Sequence, residues 1–294
     1  MAAANEGRTE MKRIRLIAVD LDGTLLDDEK QVPAENREAL QAVERRGILI
    51  SIASGRMTTT IETIEARLGV DCILIAYNGA KVLGRKREGR PLIVHRPIPA
   101  DVAAFFMRFA KANGYLLNLY HEDRLYAEDG PQRRPFIEIY RTRTGAEYNI
   151  VNDLEQDFSG VCPTKLILLT HQAERDRLHD ELRPMLEGRA FITKSEPEYL
   201  EIMAAGVDKG SALPLIAERF GIPADEIMAI GDAENDIGML EAAGLGVALA
   251  NASPRVRAAA DGITVRTNNE AGVAEAITRW LLGGTGPVTA DERR

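Results

Sequence analysis

The pentapeptide Asp20-Leu21-Asp22-Gly23-Thr24 sets two carboxylates two residues apart and follows them with residues suited to a tight turn. Carboxylates this close repel each other unless a cation lies between them or one is protonated. Gly23 and Thr24 can leave backbone N–H groups facing an anion. A further carboxylate, Asp232, stands in the segment GDAENDIGML, in the opposite half of the chain. A hard cation such as Mg²⁺ takes oxygen ligands of this kind, commonly one or two carboxylates together with phosphate oxygens. The plainer alternative is that Asp20 caps a neighbouring turn or helix.

The elements that must position these groups are legible as short apolar runs. Ile14 to Val19 (IRLIAV) is compact and rich in β-branched residues, as expected of a strand buried on both faces. A helix follows over 34–46, with Leu40 and Val43 on one face and Gly47 as its stop. ILISIA (48–53) and CILIAY (72–77) are two more buried strands, separated by a helix over 57–68 that stops at Gly69. Strand–helix–strand–helix–strand implies right-handed crossovers and a parallel sheet.

The middle of the chain has a different texture. Residues 81–84 and 91–96 form a hairpin, then come a helix over 101–112, strand-like pieces near 115–120 and 136–140, a strand over 164–170 and a charged helix over 172–186. All four histidines (His95, His121, His171 and His179) lie here without metal-ligand spacing. From Tyr199 the parallel pattern returns. Asp208 caps a helix that stops at Gly221, IMAI (227–230) is a buried strand, NDIGMLEAAG is a helix, and GVALA is another strand. Ser253-Pro254 opens a further helix, and the last carries Val273, Ala276, Ile277, Trp280 and Leu281 on one stripe. The simplest arrangement is a discontinuous α/β core over 11–83 and 200–282, interrupted by an α+β domain over 84–199.

In open parallel sheets, ligands bind beyond the carboxyl ends of the strands. IRLIAV ends in Asp20, ILISIA in Ser54-Gly55, and IMAI in Gly231-Asp232. One polar strand end carries little information, whereas three at one edge make a site.

With 294 residues and a formal charge of −8, the chain is expected to have no nucleic-acid or anionic-membrane surface as its main partner. A phosphate ligand is still compatible, because a bound metal supplies local positive charge. Cys72 and Cys162 have no CxxC spacing and are expected as small core residues. No apolar run is long enough to span a bilayer, and no signal-peptide pattern opens the chain, which points to a cytoplasmic setting. Residues 1–10 and 283–294 have the composition of disordered tails, with Met11 as a second candidate start.

The chain resembles the haloacid dehalogenase superfamily, specifically its Cof-type phosphatases. DLDGTLL (20–26), SGR (54–56), DKG (208–210) and GDAENDIGM (231–239) match that superfamily's four motifs in order. Asn78-Gly79-Ala80 and the LEIM segment from Leu200 also resemble this branch. The resemblance implies a Rossmann-like core with an inserted C2-type cap. It implies hydrolysis of a small-molecule phosphate ester, such as a sugar phosphate, through an aspartyl phosphate on Asp20. Asp22 would serve as acid and then as base. Mg²⁺ would be held by Asp20, the Asp22 backbone carbonyl and Asp232, with Asp236 as a further metal residue, direct or through water. Ser54, Gly55, Lys209, Asn235 and Asn78 would contact the substrate.

Each of these residues also has a structural alternative. Ser54 can cap the helix that follows it, Lys209 can be a solvated first-turn lysine, Asp236 an ordinary first-turn acid, and Asn78 a turn residue. Glu138, Tyr140 and Lys165 in the inserted segment are candidates for substrate selectivity. A phosphomutase of the same superfamily and a non-enzymatic phospho-ligand sensor are the alternative functions. Nothing in the composition sets an oligomeric state.

Overall fold

The structure is a computed structural model and describes residues 13–282; Met11 and the tails 1–10 and 283–294 lie outside those residues. In chain order the strands are β1 (Leu16–Asp20), β2 (Leu49–Ala53), β3 (Ile73–Ala76), β4 (Lys81–Leu83), β5 (Leu92–His95), β6 (Leu116–His121), β7 (Arg124–Glu128), β8 (Tyr148–Val151), β9 (Lys165–Leu169), β10 (Ala190–Glu196), β11 (Tyr199–Ala204), β12 (Ile227–Gly231), β13 (Leu245–Ala248) and β14 (Gly262–Ile263). The described residues divide into two compact units. The first comprises those up to Ile52, Arg67–Cys72, and those from Leu213 onward; the second comprises Ala53–Ala66 and Ile73–Ala212.

In the first unit the strands lie in the order β14-β13-β12-β1-β2. The pairs β14/β13, β13/β12 and β12/β1 are parallel. Every residue of β1 and β12 is buried, which is why both read as unbroken apolar runs rather than alternating ones. The helix Ala34–Arg45 buries Leu40 and Val43 and packs on the helix Gly272–Trp280. Asn36, also buried, joins these elements. Its Nδ2 donates to the Leu25 carbonyl at 3.3 Å and its Oδ1 accepts from the Ala274 N–H at 2.9 Å. This satisfies a polar group that burial would otherwise penalise.

The second unit holds the antiparallel set β3-β4-β5 and a six-stranded sheet in the order β10-β11-β9-β6-β7-β8. In the six-stranded sheet β7/β8 is parallel and the other pairs are antiparallel. Leu117, Leu119, Leu166, Leu168, Leu200 and Ile202 point from one face into a core with Val102, Phe106, Leu178 and Leu182. The opposite face alternates in step and mixes apolar residues (Leu116, Ile167, Leu169) with polar ones. Lys165 on β9 pairs with Glu201 on β11 at 2.8 Å, both buried, and Ser195 Oγ donates to Glu201 at 2.8 Å. The hydroxyls of Tyr120 and Tyr140 meet beside them.

Two local expectations change. Residues 136–140 are helical, within Arg134–Thr144, not strand-like. The alternation in FIEIY suggests a strand, but Pro135 sits at the helix start, Gly145 closes it in the left-handed region, and Ile137 and Tyr140 bury at helical spacing. β11 pairs antiparallel with β9 and β10, so the parallel pattern resumes at β12 rather than at Tyr199. Of the cysteines, Cys72 is buried as expected and Cys162 is exposed. Among the described residues no helix is long and apolar enough to cross a membrane.

Candidate active site

The parallel register pairs Val19 of β1 with Ile230 of β12, so Asp20 and the Gly231-Asp232 step leave the sheet side by side. Beyond β1 the chain makes a wide turn, in which the Leu25 N–H donates to the Asp20 carbonyl at 3.2 Å and the Leu26 N–H to the Leu21 carbonyl at 2.9 Å. Asp20 is buried at the turn's base, while Asp22 is half-buried within it. Gly23 adopts φ +82°, and a Cβ there would lie 2.5 Å from an Asp232 carboxylate oxygen. Only glycine allows this turn to approach Asp232 so closely.

Two side chains fix Asp232. Thr24 Oγ1 donates to its Oδ1 at 2.6 Å, and Asn251 Nδ2 approaches its Oδ2 at 3.3 Å while donating to the Gly23 carbonyl at 2.8 Å. Asp236, buried, accepts on one oxygen from the backbone N–H groups of Asp232 (3.1 Å) and Ala233 (3.0 Å). That oxygen therefore shapes the loop that carries Asp232. Asn235 is exposed on the same short turn.

Asp20, Asp232 and Asp236 each offer a carboxylate oxygen within 4.8 Å of the others. Like charges at this spacing call for a cation or a proton. The donors are all hard oxygen, with no thiolate or imidazole, which suits Mg²⁺ better than a softer metal. The histidines take no part in this group.

The remaining candidates lie in the second unit. Ser54 is buried, and its N–H donates to the Ile75 carbonyl at 2.8 Å. Its carbonyl accepts from the Asn78 N–H at 2.9 Å, and its Oγ accepts from the Arg56 N–H at 3.2 Å. A Cβ on Gly55 would stand 3.1 Å from Asn78 Oδ1. Tyr77, Asn78 and Gly79 are consecutive left-handed residues, with φ of 51°, 53° and 99°. A Cβ on Gly79 would meet the Asp208 carbonyl at 2.3 Å, next to buried Lys209. Ser54, Gly55, Asn78 and Lys209 thus come from packed neighbouring loops. The expected cap by Asp208 is present on the short turn before the helix Leu213–Phe220, where its Oδ1 accepts from the Ser211 N–H at 2.7 Å.

Left-handed conformation at two non-glycine residues costs energy and persists where the surroundings over-determine it. Here Tyr77 is buried, its hydroxyl donates to Asp123 Oδ1 at 3.0 Å, and Lys81 pairs with the other Asp123 oxygen. Burial pushes the Tyr77 hydroxyl pKa well up, with the Asp123 charge adding to it. Burial alone would raise the Asp123 carboxyl too, but the Lys81 contact, assisted by Thr58 and Tyr77, outweighs it and holds the carboxyl below its usual range.

Three participants were not singled out from sequence: the Thr24 side chain, Lys30 and Asn251. Lys30 Nζ lies 3.0 Å from Asp22 Oδ1. Asn251 could have been found, because it follows β13 as Asp232 follows β12. Lys30 carried no such signal. Of the selectivity candidates, Glu138 pairs with Arg141 at 2.7 Å on an exposed helix face, whereas Tyr140 and Lys165 are buried, in contact with Tyr120 and Glu201 respectively.

A family model of haloacid dehalogenase-like hydrolases matches residues 17–277. The 5-amino-6-(5-phospho-D-ribitylamino)uracil phosphatase of Bacillus subtilis is 32% identical over 92% of this chain and 96% of its own. An HMP-PP phosphatase of Shigella flexneri is 28% identical, covering 91% and 96%. The solved structure of a haloacid dehalogenase-like hydrolase from Bacteroides thetaiotaomicron superposes with a TM-score of 0.81 at 31% identity, covering 90% of this chain and 98% of that one. This chain belongs to the haloacid dehalogenase-like hydrolase family, and the named relatives that it matches within it are phosphatases.

Proposed function

We propose that the protein is a Mg²⁺-dependent phosphatase that hydrolyses small phosphate monoesters through a phosphorylated Asp20. The observation that carries this reading is the convergence of the Asp20, Asp232 and Asp236 carboxylates, with Asp22 two residues beyond Asp20. Relatives named as phosphatases of a phosphoribityl compound and of HMP-PP support a small phosphorylated metabolite as substrate.

Asp20 attacks phosphorus. A bond forms from its carboxylate oxygen while the ester P–O bond breaks, and Asp22 gives a proton to the leaving oxygen. A water then bonds to phosphorus, Asp22 takes its proton, and the bond to Asp20 breaks to release inorganic phosphate. Asp20, the Asp22 backbone carbonyl and Asp232, with Asp236 in support, would hold Mg²⁺, which would supply charge neutralisation for the phosphoryl group. Ser54, the Gly55 N–H and Lys209 are assigned to phosphoryl oxygens, Asn235 to metal-bound water or substrate, and Asn78 to the substrate. Lys209 is buried beside the Asn78-Gly79 turn, where a Cβ on Gly79 would lie 3.7 Å from its Cα. The inserted segment 84–199 serves as a cap that limits water during the reaction.

Phosphate release from a panel of sugar, nucleotide and cofactor phosphates, with Mg²⁺ and with EDTA, tests the reading. Metal-dependent release, with an acyl phosphate trapped on Asp20, is the expected result. Interconversion of phosphate isomers without release would identify a mutase. Ligand binding without turnover would identify a sensor.

A further inference from the structure

The turn after Leu26 points a lysine at the proposed proton donor. Lys30 Nζ stands 3.0 Å from Asp22 Oδ1, with the two side chains 58% and 40% exposed. An exposed ion pair of this kind contributes little to stability. The scaffold behind it is more elaborate than such a pair needs. The Asp27 N–H donates to the Gln31 carbonyl at 2.9 Å, the Lys30 N–H to the Asp27 carbonyl at 3.0 Å, and the Gln31 N–H to Asp27 Oδ1 at 2.8 Å.

The turn is also tied to a distant part of the chain. Asp28 Oδ1 accepts from Asn268 Nδ2 at 3.2 Å and Asp28 Oδ2 from Asn269 Nδ2 at 2.9 Å, while the Asp28 N–H donates to Asn269 Oδ1 at 3.0 Å. Asn268 Nδ2 also reaches the Leu26 carbonyl at 3.1 Å, and its N–H donates to Asn251 Oδ1 at 3.0 Å. Asn251 is the residue that contacts Gly23 and Asp232. One connected set of polar contacts therefore holds both the loop of Asp232 and the turn of Lys30. Lys30 itself sits at φ 59°, a left-handed conformation in which lysine is uncommon. Such strain is retained where a structure fixes a residue for use.

A group that touches the donor carboxylate from the solvent side stands next to the leaving group, because the donor must reach the leaving oxygen. The reacting end of this site is strongly acidic. The converging Asp20, Asp232 and Asp236 carboxylates disfavour a second anion on the substrate. Lys30 reverses that local sign.

We propose that Lys30 is a specificity-determining residue, which selects phosphate esters whose leaving group carries a second anion, a carboxylate or phosphate, close to the scissile oxygen. The inference rests on the phosphatase reading and on Asp22 as its proton donor. The ammonium leaves or shares Asp22 to pair with the incoming anion. Neutral polyol leaving groups gain nothing from it.

The test compares 2-phosphoglycerate with glycerol 2-phosphate, which differ in a carboxylate against a hydroxymethyl group on the carbon that bears the phosphate oxygen, and runs a wider set of matched pairs alongside. In the wild type, kcat/KM favours the anionic member. In Lys30→Met the ratio falls about tenfold, in keeping with loss of one partly exposed charge-assisted contact. Lys30→Arg keeps most of the preference, and rising salt lowers it in the wild type but not in Lys30→Met. Equal losses for both members in Lys30→Met would show that Lys30 only holds Asp22 in place and would overturn the inference. An unchanged ratio would overturn it as well. Absence of metal-dependent release from every pair would instead overturn the phosphatase reading, and this inference with it.

Discussion

Thr24 and Asp232, 208 residues apart in sequence, are joined by a 2.6 Å hydrogen bond from Thr24 Oγ1 to Asp232 Oδ1. The turn that carries the proposed nucleophile thereby aims a carboxylate that the other half of the chain supplies. A carboxylate held by such a donor loses rotamer freedom before a metal arrives, so less is lost on binding. Thr24→Val keeps the shape of the buried side chain and removes the donor. The expected result is a rise of about ten- to hundredfold in the Mg²⁺ concentration for half-maximal phosphate release. Titration of activity against Mg²⁺, alongside a melting curve, checks it. An unchanged requirement in folded protein would show that Asp232 is aimed by other contacts.

Asp20 is buried at the end of a strand whose other residues are all apolar and buried. Asp20→Asn preserves size and most hydrogen-bonding capacity but removes the nucleophilic charge. Phosphate release should fall at least about a thousandfold, as when a covalent nucleophile is lost. Melting without metal should change little or rise, since one of three converging carboxylates is neutralised. Substantial turnover in this variant would remove Asp20 from the nucleophile's role.

Asp123 serves the left-handed run at Tyr77 and Asn78. Its side chain and that of Lys81 are mostly buried, at 19% and 18% exposure, so the pair is worth more than a surface ion pair and less than a dry one. Asp123→Asn should destabilise the fold by about 2 kcal/mol and raise KM, because Asn78 loses its support. The Asp123 carboxyl is held below its usual range, so its contribution is complete above about pH 4 and is lost as the pH falls through the lower, folded-state value. The stability gap between wild type and Asp123→Asn should therefore be constant near neutrality and narrow in acid. Chemical denaturation at several pH values measures the gap, and one that widens in acid would contradict the assignment.

What was legible in the sequence follows from range. β1 and β12 are buried on both faces, and their continuous apolar runs end in Asp20 and Gly231-Asp232, which bring two of the converging carboxylates together. The 136–140 stretch reads either way because Ile137 and Ile139 flanking Glu138 suit either period. The helix was decided by Pro135 and Gly145 at its ends. β10 and β11 form a hairpin whose membership in the six-stranded sheet depends on pairing with β9, a contact that local pattern does not encode. Lys30 shows the same limit at the scale of one side chain. A lysine in a polar turn looks solvated until the fold shows the turn tied to Asn268 and Asn269, with the ammonium against Asp22.

The Lys165–Glu201 pair raises a separate question of stability. Both groups are buried, and their 2.8 Å contact is supplemented by Ser195 on Glu201. Two desolvated charges gain little net stability from each other, but one left alone costs a great deal. Lys165→Met leaves Glu201 buried without its cation and should destabilise the protein by about 3–5 kcal/mol. Lys165→Met with Glu201→Leu removes both charges and should recover most of that loss, so the double variant should unfold at a denaturant concentration near that of wild type. If the pair is retained for substrate selectivity rather than stability, the double variant will fold normally yet show an altered ranking across the phosphate-ester panel. A double variant as unstable as Lys165→Met alone would mean that the surrounding tyrosine layer, with Tyr120 and Tyr140 hydroxyls in contact, requires the charges for its own arrangement.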